Sequence, residues 1–366
     1  MATCARSQLN AKRHLPVCAA ILAVGLATPA AAQTEGDSDW VLPRTEHGHP
    51  DLQGNWTNAT MTPVQRPEGL GAALTAEQIA AWEGARQETI DADAARSDPD
   101  REAPPEGGVF TGDALFDAAS GGTGGYNYFY IDAGDRVARY NGEARSSLVV
   151  DPPDGRIPEF TEAAKEARAA AATRTADIDE FDNPESRPMG ERCLLSFGDN
   201  LGAPMLPNYF YNNNYTIVQT ENEVMIMTEM VHDFRVIRFG ERQPLPDHIR
   251  PWMGDSWGRW EGDTLVVETT NQPLKQVNAA TYVTPGGSEQ MKVTERFSRV
   301  GPRTINYEFT VDDPAFFTAS WSGEVPFLKM DELIYEYACH EANYSLFNVL
   351  SGARAQESMA QESQED

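Results

Sequence analysis

The chain has 366 residues, and its 29 lysines and arginines against 56 aspartates and glutamates give a net charge of −27 at pH 7. This negative charge repels polyanions and anionic lipid headgroups, so it disfavours nucleic-acid binding and charge-driven membrane binding. The length is sufficient for one large β domain or two small ones.

The first 32 residues have the pattern of a bacterial export signal. Three basic residues precede an almost wholly apolar run over residues 15–27, and Ala30, Ala31 and Ala32 supply the small side chains that a signal peptidase reads. We therefore predict a signal peptide over residues 1–32, cleaved after Ala32, and a periplasmic or secreted protein. The apolar run is shorter than the roughly 20 residues that a spanning helix needs, and no later segment comes close, so no membrane span is predicted.

Residues 33–120 are predicted to form an N-terminal arm, a helix and an acidic linker. The arm is rich in turn-forming residues and has two aromatic anchors, Trp40 and Trp56, which we expect to pack on the main body. The Asp-, Pro- and Glu-rich segment 97–108 is typical of a solvated linker. The arm is too short for a core of its own, so its structure should depend on the main body.

Capping residues indicate one or two short helices in the N-terminal half. Thr75 is followed three positions later by Gln78, and this capping box predicts a helix over residues 75–96. Thr161 is a similar cap and predicts a second helix over residues 161–174. Each cap satisfies amide groups that the first helical turn leaves unpaired.

Residues 121–352 are predicted to be β-rich, because segments of β-branched and aromatic residues recur between turn-forming residues. The segments are Tyr215–Gln219, Glu223–Met230, Phe234–Phe239, a hairpin over 257–270, Met291–Val300, Thr304–Val311, Ala319–Val325 and Leu333–His340. This spacing predicts a mainly β fold, an antiparallel meander that closes into a lipocalin-like barrel or a sandwich. The polar, acidic residues 353–366 are expected to form a disordered tail.

Two cysteines, Cys193 and Cys339, stay in the chain once the predicted signal peptide is removed with Cys4 and Cys18. An oxidising compartment favours a disulfide between them. The spacing alone leaves two buried free thiols as the alternative.

Residues 229–233, EMVHD, are the leading candidate for acid–base chemistry, because they lie at a boundary between predicted strands where side chains often reach a cleft. His232 exchanges a proton near neutral pH, and Glu229 or Asp233 can orient it. Neighbouring residues on a strand point to opposite faces, so this pairing needs a turn in the backbone. The alternative is a histidine held by a backbone carbonyl. His340, beside one of the two cysteines, is the second candidate proton carrier.

Tyr215, Asn213, Arg259 and Asp255 are predicted to bind substrate. The first two end the segment YFYNNNY, and the other two lie in GDSWGRWEGD. Aromatic faces stack on sugar rings, while amides and charged groups bond hydroxyls. These segments therefore suit a small-molecule or carbohydrate ligand, and an aromatic core with Asn-supported turns is the alternative.

The sequence has no clear motif for a metal or an organic cofactor. His232 and His340 lie far apart in the chain and have no local zinc signature such as HExxH. His47 and His49 lie in the turn-rich arm, and the segment with Asp177, Asp179 and Asp182 lacks the glycine and the terminal glutamate of an EF-hand loop. Phosphate-loop, dinucleotide-binding and haem motifs do not occur either. We expect neither metal nor cofactor, and the oligomeric state stays open.

Several long strings resemble a widespread family of uncharacterised secreted bacterial proteins. They are DPPDGRIP at 151–158, GRWEGDTLVVETT at 258–270, PDLQGNW at 50–56 and YEYACHEANYSL at 335–346. The resemblance covers most of residues 43–354. It implies an exported location and a β-rich fold, and it carries no activity or site assignment.

The residues favour an exported enzyme, a lyase or hydrolase, that acts on a small or carbohydrate-like molecule by cofactor-free acid–base chemistry. In this hypothesis the two histidines carry protons and the neighbouring carboxylates orient them. The alternative is a lipocalin-like binding protein for an apolar or aromatic ligand. Such a protein would have a deep aromatic-lined cavity without a converging histidine–carboxylate pair.

Overall fold

The computed structural model describes residues 40–94, 132, 134–175, 180–195, 202–208, 212–273 and 286–365. Its strands are Gly54–Thr57 (β1), Arg139–Tyr140 (β2), Glu143–Ala144 (β3), Val149–Asp151 (β4), Asn214–Gln219 (β5), Glu223–Thr228 (β6), Phe234–Arg238 (β7), Asp255–Glu261 (β8), Thr264–Thr270 (β9), Lys292–Gly301 (β10), Thr304–Asp312 (β11) and Trp321–Met330 (β12). Its α-helices are Ala76–Ala94 (α1), Glu162–Thr175 (α2) and Ser345–Glu365 (α3). The predicted signal peptide over residues 1–32 and the acidic linker over 97–108 lie outside the described residues.

Nine of these strands form a closed barrel. They follow the order β1-β5-β6-β7-β8-β9-β10-β11-β12, and β12 pairs with β1 to complete the ring. β7 and β8 pair in parallel, and the other neighbours pair antiparallel. The predicted mainly β fold, a meander closing into a barrel, is confirmed.

The strand that closes the barrel comes from the N-terminal arm. Asn55 of β1 is paired with Thr216 of β5 on one side and with Met330 of β12 on the other. Trp56 is fully buried, and its indole N–H donates to the Leu52 carbonyl over 2.9 Å. The arm is therefore part of the barrel wall.

The barrel interior is packed with aromatic side chains. The rings of Tyr215 and Phe327 stack with centroids 5.2 Å apart, and Phe297 and Tyr307 pack 4.9 Å apart. Inward and outward residues alternate along each strand, which is why the period-2 pattern of the sequence located most strands. Burial of a large apolar side chain contributes about 1.5–3 kcal/mol relative to exposure, so this core is a main source of stability.

A buried ion pair crosses the same interior. Arg235 on β7 donates two hydrogen bonds, of 2.5 and 2.9 Å, to the Glu295 carboxylate on β10. Burial opposes the charge of the guanidinium, but Glu295 outweighs it and raises the pKa of Arg235. The Tyr307 hydroxyl donates to Glu295 over 2.9 Å, and burial raises the pKa of this phenol, so it stays protonated.

Residues 202–208, here called the plug, are buried throughout and pack against the core. The Met205 amide donates to the Tyr307 hydroxyl over 2.8 Å, and Arg235 contacts the Met205 sulfur at 3.1 Å. The Asn208 amide donates to Asn213 Oδ1 over 2.9 Å. The plug therefore rests directly on the buried polar network.

The two N-terminal helices begin where their caps predict. The Thr75 amide donates to Gln78 Oε1 over 2.9 Å, and the Gln78 amide donates to Thr75 Oγ1 over 3.2 Å, which completes the capping box of α1. Thr161 Oγ1 accepts from the Ala164 amide at the start of α2. α3 was not predicted and lies at the C-terminal end. It makes residues 353–365 helical, where a disordered tail was expected, and its polar, mostly exposed side chains explain that expectation.

Residues 331–344, here called the strap, follow β12 in an irregular conformation. The predicted strand over Leu333–His340 is therefore wrong. β1 already has a neighbour on both edges, so the strap finds no free strand edge there. Its backbone instead bonds to side chains, with Asn55 Nδ2 donating to the Glu332 carbonyl and the Tyr335 amide donating to Glu229.

The predicted cysteine pair is present. The sulfur atoms of Cys193 and Cys339 lie 2.05 Å apart, at disulfide-bonding distance. The link ties the strap to the segment around residue 193. In the part of the chain that the structure describes, no helix is long and apolar enough to cross a membrane.

Candidate functional site

Glu229, a predicted catalytic residue, is buried on the outer face of the barrel beneath the strap. Its Oε2 atom accepts from Asn214 Nδ2 over 2.6 Å, and its Oε1 atom accepts from the Tyr335 amide over 3.0 Å. Both oxygens are thus bound by the protein. This arrangement anchors the strap to the end of β6.

The backbone does turn between Glu229 and Asp233, as a shared histidine–carboxylate site requires. A 3-10 turn over Met230–His232 includes Val231 in the left-handed region, with φ of 62°. The side chain of His232 lies outside what the structure describes. His340 is exposed on the strap, and the described residues give its side chain no hydrogen bond or ion pair. No described contact joins the four predicted catalytic residues into one site.

The four predicted substrate residues lie in two places. Tyr215 and Asn213 are buried inside the barrel, where Asn213 Nδ2 donates to the Asp132 carbonyl over 3.0 Å. Arg259 and Asp255 lie on the outer face of β8. Arg259 is half-exposed and bonds surface glutamates, while Asp255 is buried and bonds Arg238 and the Trp257 indole. Tyr215 and Asn213 therefore lie inside the barrel and Arg259 and Asp255 on its outer face, so the four residues do not form one site.

A different group of titratable residues converges on the outer face of β11 and β12. Glu308 and Glu324 are directly opposite each other in the antiparallel register. Like charges at opposed positions destabilise a sheet, and the Cβ atoms of such pairs lie only about 4.5–5.5 Å apart. Tyr140 and Arg145 complete this group, here called the carboxylate cluster.

The β2–β3 hairpin brings Tyr140 and Arg145 onto this face. It reverses at Asn141 and Gly142, both with positive φ, as tight hairpin turns require. The Tyr140 hydroxyl donates to the Glu308 carboxylate. The hairpin tip is held by Asn306 Nδ2, which donates to Asn141 Oδ1 over 2.7 Å.

Arg145 holds the second carboxylate. Its Nε and Nη2 atoms lie 2.9 and 2.8 Å from Glu324 Oε2, and it also pairs with Glu143. Glu324 and Arg145 are about equally exposed, at 17% and 18% of their side-chain area, while 43% of Glu308 is exposed. A reactant in solvent can therefore reach both glutamates.

The surroundings of Glu324 and Tyr140 raise the pKa values of both side chains. Burial raises the pKa of Glu324, and the charges of Glu308 and Glu143 add to that effect while Arg145 opposes it. The pKa of Tyr140 is raised by burial and by the carboxylate of Glu308 that it bonds, so the phenol stays protonated. Glu324 keeps its proton to higher pH than an ordinary glutamate. Many enzymes that use acid–base catalysis have a protonated carboxyl group beside an ionised one.

Sequence reasoning did not find the carboxylate cluster. Tyr140 and Glu308 are 168 positions apart, and Arg145 and Glu324 are 179 apart. No local motif joins them, because only the cross-strand register of β11 and β12 sets the glutamates side by side. The turn-forming pair Asn141-Gly142 was the one signal that could have located the hairpin.

A cleft of about 500 Å³ lies beside the disulfide. Its lining includes Glu191, Glu336 and Cys339 together with Asn343, whose Nδ2 donates to the Glu191 carbonyl over 3.0 Å. The cleft is widely open, and it is separate from the carboxylate cluster in its lining residues. It holds none of the predicted catalytic or substrate residues.

Among the described residues, no group of three or more His, Cys, Asp or Glu side chains is arranged to hold a metal ion. No family model, curated protein or solved structure matches this chain. No function is therefore transferred from a relative.

Proposed function

We propose that the protein is a cofactor-free acid–base enzyme, a hydrolase or lyase, that acts on a small carbohydrate-like molecule at the carboxylate cluster. One observation carries the proposal: Glu308 and Glu324 face each other on adjacent strands, and the pKa of Glu324 is raised. Paired carboxyl groups with different proton affinities can act as acid and base in one reaction.

Each residue of the cluster then has a distinct role. Glu324 gives its proton to the leaving oxygen as the C–O bond of a glycoside breaks. Because the Cβ atoms of opposed residues lie only about 4.5–5.5 Å apart, Glu308 is placed to bond to the sugar carbon itself, and water then hydrolyses this glycosyl ester with Glu324 as the base, so the reaction balances as a hydrolysis. Tyr140 orients Glu308, and Arg145 positions Glu324. The buried Oδ1 atom of Asn306, which has no hydrogen-bond partner among the described residues, can accept from a substrate hydroxyl.

The roles assigned from sequence to His232, His340, Glu229 and Asp233 stay a prediction. We place the carboxylate cluster first because its members contact one another, whereas His340 is exposed and Glu229 is fully bound by Asn214 and the strap. The reaction class proposed here is the same as the one predicted, and only the residues that perform it differ.

The experiment is a screen of the purified protein against 4-nitrophenyl glycosides of the common sugars, with variants of the cluster. On the methyl glycoside of the sugar that this screen identifies, Glu324→Gln and Glu308→Gln should each lower turnover about 10²–10⁴-fold, the usual contribution of one positioned acid or base. Glu268→Gln is the matched control, because Glu268 is also a half-exposed glutamate on an outer strand face with arginine partners. Equal activity in all three variants would remove the cluster from the reaction.

The alternative function is a lipocalin-like binding protein for an apolar or aromatic ligand. The closed barrel and its aromatic interior support it. The ion pair of Arg235 and Glu295 inside the barrel suits such a ligand poorly, because an apolar molecule cannot bond these groups. Saturable binding of an apolar fluorescent dye that an uncharged aromatic compound displaces would favour this binding function over the proposed enzyme.

We also propose that the protein is exported and loses residues 1–32, as a member of the secreted family that its motifs resemble. The cysteine pair at bonding distance supports an oxidising compartment. N-terminal sequencing of the protein from the periplasm or medium should begin at Gln33. A mature protein that starts at Met1 in the cytoplasm would contradict export.

A further inference from the structure

A fully buried amide that has no hydrogen-bond partner among the described residues lies at one end of the barrel. Asn58 follows β1, and its backbone N–H donates to the Asn213 carbonyl over 3.1 Å, which extends the β1–β5 ladder. Its side chain has no solvent exposure. Among the described residues, neither Oδ1 nor Nδ2 of Asn58 has a hydrogen-bond partner. Buried polar side chains are nearly always bonded, so this amide points to a molecule that the protein takes up.

Two further polar atoms at the same end of the barrel lack partners in the part of the chain that the structure describes. Thr228, the last residue of β6, is opposite Tyr215 and shares its inward face, and its hydroxyl is unpaired within the described chain. Arg235, near the start of β7, has both terminal nitrogens engaged, but its Nε has no partner there. The end of β1, the end of β6 and the start of β7 lie at one end of the ring. Unpartnered polar atoms from three strands therefore lie at the same end of the interior.

The charges at this end select a neutral molecule. Arg235 and Glu295 neutralise each other through two hydrogen bonds and leave no net charge for a ligand to balance. An amide and a hydroxyl both donate and accept, so their complement needs hydroxyl or amide groups of its own.

We propose that this end of the barrel holds a small neutral polyhydroxylated molecule between Asn58, Thr228 and Arg235. The site is independent of the carboxylate cluster, which lies on the outer face of other strands. The plug lies beside it, since Asn208 of the plug donates to Asn213, the residue that pairs with Asn58.

The test uses the full mature protein, labelled with ¹⁵N at asparagine, and a series of neutral polyols from glycerol to a hexose. The Asn58 side-chain amide signal is identified by its loss in Asn58→Leu. At least one polyol should shift this signal saturably, and 1,2,3-trimethoxypropane, which lacks hydroxyl donors, should not. Thermal stabilisation by the same polyol should fall at least tenfold in apparent affinity in Asn58→Leu and in Thr228→Val. Asn222→Leu, on the exposed turn between β5 and β6, should bind as the wild type does.

Two outcomes would overturn the proposal. In the first outcome, no polyol in the series shifts the Asn58 signal. A bound water with a persistent cross-peak to the Asn58 side-chain amide is then its only hydrogen-bond partner. Alternatively, a polyol binds but with equal affinity in both interior variants and the wild type. If Asn58→Leu does not fold, Thr228→Val decides by the same comparison, since it removes only a hydroxyl.

Discussion

Glu308 of β11 and Glu324 of β12 are directly opposite each other on the outer face of the barrel, with Arg145 bound to Glu324 and Tyr140 to Glu308. Two carboxylates at opposed positions repel each other, so the pair costs stability unless cations and protons compensate it. Arg145 beside Glu324 and Arg296 beside Glu308 supply cations, and the raised pKa of Glu324 favours the proton.

The first prediction concerns the pH dependence of stability. The folded protein holds the Glu324 proton more tightly than the unfolded chain, because burial raises the pKa of this group above its ordinary value of 4.5. Its stabilising contribution is complete below pH 4.5 and is lost as the pH rises through the raised pKa. Glu324→Gln should remove this loss of stability. The urea midpoint of the variant, measured relative to that of the wild type, should therefore rise between pH 4 and neutrality. Parallel profiles for variant and wild type would contradict the shift.

The second prediction concerns Arg145, which should stabilise the protein more when Glu324 is charged than when it is protonated. Arg145→Met leaves Glu324 and Glu143 without their cation and should destabilise the protein by about 1–3 kcal/mol at pH 7 in urea titrations. The double variant with Glu324→Gln should recover part of this loss. Arg242→Met is the control, because Arg242 pairs with a glutamate at the surface and should cost less than about 1 kcal/mol. Strictly additive losses would show that Arg145 and Glu324 act separately.

The third prediction concerns the closure of the barrel by the N-terminal arm. Trp56 is fully buried and contacts the Leu52 carbonyl, so Trp56→Ala should cost about 3–5 kcal/mol in urea unfolding. Trp252 is 37% exposed, and Trp252→Ala should cost about 1 kcal/mol or less. Deletion of residues 33–56 should lower the melting temperature still further, because it removes the strand between β5 and β12. Unchanged melting after this deletion would mean that the barrel closes without the arm.

Most strands could be predicted because inward and outward residues alternate, as in Val224, Ile226 and Thr228 of β6, which are all buried. The strap has the same alternating composition, but it does not pair with a strand. Whether a strand edge is free for pairing depends on the whole sheet, and a local sequence pattern does not show it. The strand at Gly54–Thr57 shows the converse case. The turn-rich sequence around this strand predicts an irregular arm. The segment becomes a strand because it pairs with β5 and β12 when the barrel closes.

The cysteine pair could be predicted because removal of the predicted signal peptide would leave only two cysteines. The carboxylate cluster could not be predicted, because its members come from the β2–β3 hairpin and from two later strands. A one-residue shift in the pairing of β11 with β12 would separate Glu308 from Glu324, and the register is set by packing across the whole sheet. Histidines attract attention in a sequence because they titrate near neutral pH, whereas a glutamate becomes an acid only through its surroundings.

The most direct test of the proposed function is the dependence of the Glu324→Gln defect on the leaving group. With a substrate of the active sugar that carries a poor leaving group, such as methanol, the bond cannot break without a proton, and kcat/KM should fall about 10²–10⁴-fold. With a 2,4-dinitrophenyl leaving group, which departs as a stable anion, the defect should shrink to about tenfold or less, because the proton is no longer needed. Equal defects on the two substrates, or full activity of Glu324→Gln on both, would contradict the assignment of Glu324 as the acid.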